Sequence, residues 1–267
     1  MTPYTFLAGD SPLLLSIPHA GTALTPDVAE ALSPAAQPLP DTDWHIPELY
    51  AFAQAQGASI LTGCYSRLVI DLNRPADDQP LYSSATTGLF PDVLFDGTPA
   101  FLPGKTPSAS LRQQYLDQIW QPYHHQLQHE LARLKQRYGY ALLFDAHSIA
   151  SHIPRLFAGQ LPDLNLGSND GLSCAPALES AIAATCQSQS HWSWVLNGRF
   201  RGGYITRAYG QPAQHQHAIQ LELSQCNYMD EKPPFSWQPA KAQALQPMLA
   251  QIIQTFMDAA ARLYRHG

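Results

Sequence analysis

A chain of 267 residues in which 45% are apolar carries enough hydrophobic side chain for a substantial buried core. Its charge is sparse and acidic, with 13% charged residues and a net charge of −6, and only four Lys stand beside eleven Arg. That balance argues against a nucleic-acid partner, whose recognition concentrates cations against phosphate.

The first residues have no basic stretch, and their apolar run is only about five residues long, too short for a signal peptide or a membrane span. A cytoplasmic location is therefore expected. Residues 13–17 (LLLSI) read as a buried strand, closed by Pro18 and leading into His19-Ala20-Gly21. The cluster DTDWH supplies Asp41, Asp43 and His45 ahead of a helix expected over 46–55, for which Asp43 is a candidate cap. Residues 59–61 and 68–72 are strand-like. From 75 to 108 the chain is rich in Pro, Gly, Asp and Ser without periodicity, the composition of a lid or binding loop. Apolar residues recur at helical spacing over 111–138, with Pro122 expected to kink or split that helix. Residues 140–144 form an apolar strand that ends at Asp145-Ala146-His147. Residues 177–185 read as helix, 192–196 and 218–223 as strands, and a last helix is expected from about 240 to 264, disturbed near its start by Pro247.

Strands alternating with helices imply an α/β domain with a mixed or mostly parallel sheet, here a single one over 1–267. The four cysteines (Cys64, Cys174, Cys186, Cys226) contain no C-x-x-C pair and are expected as reduced core thiols. In such folds ligands gather beyond the carboxyl ends of the strands, where His19 and His147 are expected.

A His at a strand end can bind a metal, move a proton, or simply be a satisfied polar residue. Two at equivalent places favour metal, and Asp145 can hold the far nitrogen of His147. A catalytic zinc site needs three protein ligands, so a third must come from elsewhere, and Asp43 or Asp41 could supply it. In SRLVIDLNRP, Arg67, Asn73 and Arg74 flank an apolar run; Asn73 and Arg74 are suited to gripping a carboxylate, while an Asp71–Arg74 ion pair is the structural alternative. Glu222 lies in an apolar strand, either facing solvent or desolvated as a general base. In GRFRGGYITRAYG, Arg201, Tyr204 and Arg207 could reach a second carboxylate or form a solvated hairpin. His217 is either a supporting or a surface residue, and His124 and His125 on the long helix are expected to be packed or exposed.

The motifs PLLLSIPHAG, DTDWHIPELY, SRLVIDLNRP, DAHSI, LFAGQLPDLNLG, GRFRGGYITRAYG and QLELSQCNYM occur in one order over nearly the whole chain. In this the chain resembles the N-formylglutamate amidohydrolases and, more distantly, the zinc carboxypeptidases and aspartoacylases. The resemblance implies a three-layer αβα fold around a mixed, mostly parallel sheet, and a metal-dependent hydrolysis of an acidic N-acyl amino acid. It assigns His19 and His147 to a divalent metal, zinc, with Asp145 behind His147. Asn73 and Arg74 would hold the substrate carboxylate, Arg67 the oxyanion, and Glu222 would be the base and acid. The wider group has a Glu three residues after the first His, where this chain has Thr22, and Asp43 is the expected replacement. Hydrolysis of another N-acyl amino acid or a peptidoglycan fragment, and ligand binding without catalysis, are the competing readings.

Overall fold

The protein is described here by a computed structural model covering residues 2–80 and 86–265. Seven strands form one sheet in the order β1-β3-β2-β4-β7-β5-β6. They are β1 (Tyr4–Leu7), β2 (Leu13–Ile17), β3 (Ser59–Gly63), β4 (Ala141–Ile149), β5 (Leu164–Gly167), β6 (Trp194–Leu196) and β7 (Gln216–Ser224). The four central strands β3, β2, β4 and β7 run parallel. β1 pairs antiparallel with β3, and β5 antiparallel with β7, with β6 parallel to β5. The helices are α1 (Pro26–Ala31), α2 (Ile46–Leu49), α3 (Ala109–Tyr115), α4 (Gln121–Tyr138), α5 (Pro176–Gln187), α6 (Tyr204–Tyr209) and α7 (Pro239–Tyr264).

A parallel sheet must be covered on both faces, and the pleat divides the apolar residues between two cores. Leu13, Leu15, Leu142, Phe144 and Leu221 face α2, α5 and α7. Leu14, Leu143 and Ala218 face α1, α3, α4 and α6. This is the expected three-layer αβα arrangement. The same alternation turns Ser16, Asp145, His147, Gln220 and Glu222 toward the α4 side, where the apolar pattern gives way to polar residues at the carboxyl ends of β2, β4 and β7.

Several local expectations are corrected. Residues 68–72 form turns, not a strand: Leu68, Val69, Ile70 and Leu72 are buried, but the Val69 N–H donates to Ser66 O and the Asp71 N–H to Leu89 O. Hydrophobicity here reports burial, not pairing. The helix expected over 46–55 is one short turn, α2, followed by a 3-10 turn over Ala51–Gln54, and its cap position is His45 rather than Asp43. β4 runs on through Asp145 and His147 to Ile149, because β7 pairs with it along its full length. Ahead of Pro122, which lacks an N–H and crowds the preceding turn, the helix widens into a π turn over Leu116–Trp120. α7 continues through Pro247. The expected loop over 75–108 falls partly on 81–85, outside the described residues. Of the remainder, Leu89, Leu94 and Phe101 are buried in the second core. No helix among the described residues is long and apolar enough to cross a membrane.

Phe144 sits fully buried at the centre of β4, with its ring 6.0 Å from that of Tyr50. Phe144→Ala should lower unfolding stability by about 3–5 kcal/mol through lost burial and a residual cavity. Urea titration should show a lower midpoint at an unchanged slope; a loss below about 1 kcal/mol would mean that this core does not depend on the ring.

Candidate active site

His19 stands just past β2, and the backbone there is held by a bond from the Asp43 N–H to the His19 carbonyl. The turn passes so close to residues 64–65 that a Cβ on Gly21 would lie 2.3 Å from the Cys64 carbonyl carbon, so only glycine fits. That backbone bond brings the Asp43 carboxylate against the two histidines. His147 projects from β4 directly beside Glu222 of β7.

The two imidazoles are held alike. His19 Nε2 lies 2.7 Å from Asp71 Oδ1, and His147 Nε2 lies 2.9 Å from Asp145 Oδ2. A proton on each Nε2 satisfies these carboxylates and turns both Nδ1 atoms inward toward Asp43. Asp43 Oδ2 is 3.0 Å from His147 Nδ1 and 3.8 Å from His19 Nδ1. All these side chains are at most 4% exposed. Arg67, also buried, donates through Nη2 to Asp43 Oδ1 at 3.1 Å and makes a close contact to His19 Nδ1. Its guanidinium lies over the Phe95 ring.

The local charge is unbalanced. Arg67 pairs with Asp43 and Asp71, and Asp145 pairs with His147, so three carboxylates stand in the inner site beside that guanidinium. Burial alone would raise the Asp43 and Asp71 carboxyls, but it is overcome. The His147 bond and Arg67 pull Asp43 down, and His19, Arg74 and Arg67 hold Asp71 well below the usual carboxylate range. Burial and Arg67 lower His19. Burial opposes a charge on His147 too, yet Asp145 and Asp43 raise it well above an ordinary imidazole. Glu222 has mainly burial acting on it and is pushed up to about 8.

His19, Asp43 and His147 each offer one ligand atom, and these lie within 4.8 Å of one another. Two imidazole nitrogens and a carboxylate oxygen, buried amid surplus negative charge, fit a divalent cation of intermediate softness. Asp41 is not in this group: its carboxylate accepts the Phe95 N–H at 2.8 Å, and burial pushes it up to about 6. Thr22 is exposed.

A cavity opens beside these groups, lined among others by His19, Arg67, Asn73, Arg74, His147 and Glu222. Arg74 is fixed by bonds to Thr87 O, Asn73 O and Thr86 Oγ1. Asp71 pairs with His19 and Arg67 and not with Arg74, so the Asp71–Arg74 ion pair is not formed. Asn73 lines the cavity beside Arg74. Its Nδ2 lies 3.0 Å from His147 Nε2, and its Oδ1 accepts the Ile205 N–H at the start of α6. Gly203 packs on that amide so closely that a Cβ would meet Nδ2 at 2.3 Å.

Arg201, Tyr204 and Arg207 do not line this cavity. Arg201 is half-exposed and pairs with Asp170, Tyr204 packs on Trp120 and His124, and the Arg207 Nε–H donates to Gly202 O. The segment is no hairpin; it leads into α6. His217 bonds Tyr264 and the Ala175 N–H, away from the cavity, and His124 bonds Leu72 O and Tyr209. Gln220 and Arg199 have no part in the sequence reading, and Asp71 enters it only as a possible partner of Arg74. The period-2 spacing of Gln220 and Glu222 was a usable signal for the first; Asp71 was hidden by the strand expected over 68–72.

The family profile for N-formylglutamate amidohydrolase matches residues 11–229. An N-formylglutamate deformylase of Pseudomonas aeruginosa is 56% identical over 253 residues, 95% of each chain. One of Pseudomonas putida is 53% identical over 261 residues, 98% of each chain. The crystal structure of an N-formylglutamate amidohydrolase from Ralstonia eutropha superimposes over 100% of both chains with a TM-score of 0.83 at 21% identity, a likeness of fold.

The raised His147 gives a signed expectation for the metal-free protein. Its folded pKa exceeds the unfolded value of about 6.5, so its stabilising contribution is full below that pH and is lost as pH rises through the folded value. Long-range ¹H–¹⁵N spectra should find His147 doubly protonated at neutral pH while His19 is neutral. Titration of His147 at or below about 6.5 would contradict the charge balance described here.

Proposed function

The chain belongs to the N-formylglutamate amidohydrolase family, and we propose that it hydrolyses N-formyl-L-glutamate to formate and L-glutamate at the site formed by His19, Asp43, His147 and Glu222. The observation that carries this reading is the convergence of two inward Nδ1 atoms and one carboxylate beside a buried glutamate and a cavity with an anchored arginine. Its relatives from Pseudomonas bear the same activity in their names.

His19 Nδ1, Asp43 and His147 Nδ1 would hold the divalent ion, zinc in our reading. When bound, such an ion lowers the pKa of a water toward neutrality and polarises a carbonyl. Asp71 and Asp145 keep the Nε2 protons, so Nδ1 is the nitrogen that each ring offers to the ion. Glu222 takes a proton from the attacking water and returns it to the departing amine. Its desolvated position suits both tasks, because a group titrating near neutral pH can accept and donate. Gln220, whose Nε2 lies 3.5 Å from Glu222 Oε2 and whose Oε1 accepts the Gly203 N–H, orients that carboxyl. Arg67 stands beside the donor set with N–H groups suited to the oxygen that becomes negative. Arg74 takes the α-carboxylate of the substrate, and Asn73, whose Nδ2 donates to Asp145 Oδ2 at 3.5 Å, steadies the carboxylate that holds His147. The bond broken is the formyl C–N bond, and water supplies the oxygen of formate and the proton of the amine. In the cell we read this as a cytoplasmic step of histidine degradation, as the sequence resemblance implies.

Prolonged chelation should abolish N-formylglutamate hydrolysis, and zinc should restore it. Glu222→Gln should retain normal metal content while kcat falls by about 10²–10⁴-fold. Full activity in verified metal-free protein would sink the mechanism, and a kcat within a few fold in Glu222→Gln would assign the base elsewhere.

A further inference from the structure

An acidic N-acyl amino acid brings two carboxylates into the cavity. We propose that Arg199 receives the one on the side chain, while Arg74 receives the α-carboxylate. The inference rests on the deformylase reading above and names the residue that selects an acidic side chain.

Three guanidinium groups line the cavity: Arg67, Arg74 and Arg199. Arg67 is engaged at the reacting centre by Asp43 and His19. Arg74 and Arg199 come from separate segments and offer one planar cation for each carboxylate, the geometry in which arginine binds bidentately. Arg199 is held in place. Its Nε–H donates to the Leu156 carbonyl at 2.8 Å, and its guanidinium lies 5.3 Å from the centre of the Phe200 ring. Leu156 and Phe200 also line the cavity, giving the methylene groups of a glutamyl chain apolar surface next to the cation.

The backbone around Arg199 is built to hold that position. Asn197 leaves β6 in a left-handed conformation, φ 53°, and its side chain bonds the Ser168 N–H and Oγ, each at 2.9 Å. The chain then crosses β5 at Gly167, where a Cβ would lie 2.6 Å from Arg201 C and 2.9 Å from Phe200 O. The motif pair LFAGQLPDLNLG and GRFRGG thus acts as one unit: the first supplies the Leu156 carbonyl and Gly167, the second the arginine they position. Arg201 in the same motif points to Asp170 and solvent instead.

The test compares kcat/KM for N-formyl-L-glutamate and N-formyl-L-glutamine, close isosteres that differ in side-chain charge, in zinc-supplied protein. The unmodified protein should prefer the glutamate compound, and in Arg199→Gln that preference should shrink by roughly tenfold or more, less than for a fully buried charged pair because Arg199 is half-buried. Arg199→Lys keeps the charge without the fork, and its preference should fall between the two. It carries the test if thermal melting shows that the glutamine variant does not fold. A preference intact in a folded Arg199 variant, with both substrates slowed alike or neither slowed, overturns the proposal. Equal hydrolysis of both compounds by the unmodified protein also overturns it, while leaving deformylation standing. Turnover of neither compound overturns the deformylase reading and this inference with it.

Discussion

The site depends on one repeated interaction, an imidazole pinned through Nε2 by a buried carboxylate. Asp71 does this for His19 and Asp145 for His147. Each pairing fixes a ring orientation, and together they aim both Nδ1 atoms at Asp43. Burying three carboxylates costs several kcal/mol per ion unless they are paired and hydrogen-bonded. Arg67 and a protonated His147 offset part of that charge. A bound divalent cation, in our proposal, offsets the rest. The electrostatic frustration of the metal-free site and its affinity for a cation are then the same property.

The fold makes these pairings possible through strand register. β4 and β7 run side by side for nine residues, and the pleat puts Asp145 and His147 on the same face as Gln220 and Glu222. β2 is shorter, so the chain turns at Pro18 and delivers His19 into the space beside His147, with ring centres 4.9 Å apart. The polar cluster is closed from above by loops that come close only where Cβ atoms are missing. Gly21 lets the His19 turn meet Cys64, and Gly203 lets the start of α6 rest on Asn73.

How much of this was legible in the sequence depended on the kind of signal. Apolar runs announced β2, β4 and β7 well, because central parallel strands are buried on both faces. The same signal misled at 68–72, where an equally apolar run is buried as turns. β1 and β5 were missed, being short strands of four residues. Pro122 correctly marked a disruption, whose form as a π turn was not readable. His19, Asp43 and His147 were recognised, but the cap expected of Asp43 disappears once His45 begins the helix. Asp71 was read as a possible partner of Arg74, since nothing in the sequence says that the turn after Ile70 folds back onto His19. Arg199 escaped notice because β6 runs opposite to β7, so the rule that ligands gather at strand carboxyl ends gave no reason to choose it over Arg201.

The most direct measurement is a crystal structure of the zinc-loaded protein with anomalous scattering collected at the zinc edge. The account predicts one ion within bonding distance of His19 Nδ1, His147 Nδ1 and an Asp43 oxygen, with both Nε2 atoms still on Asp71 and Asp145. An ion bound elsewhere, held through Nε2, or seated on Asp41 in place of Asp43 would contradict it.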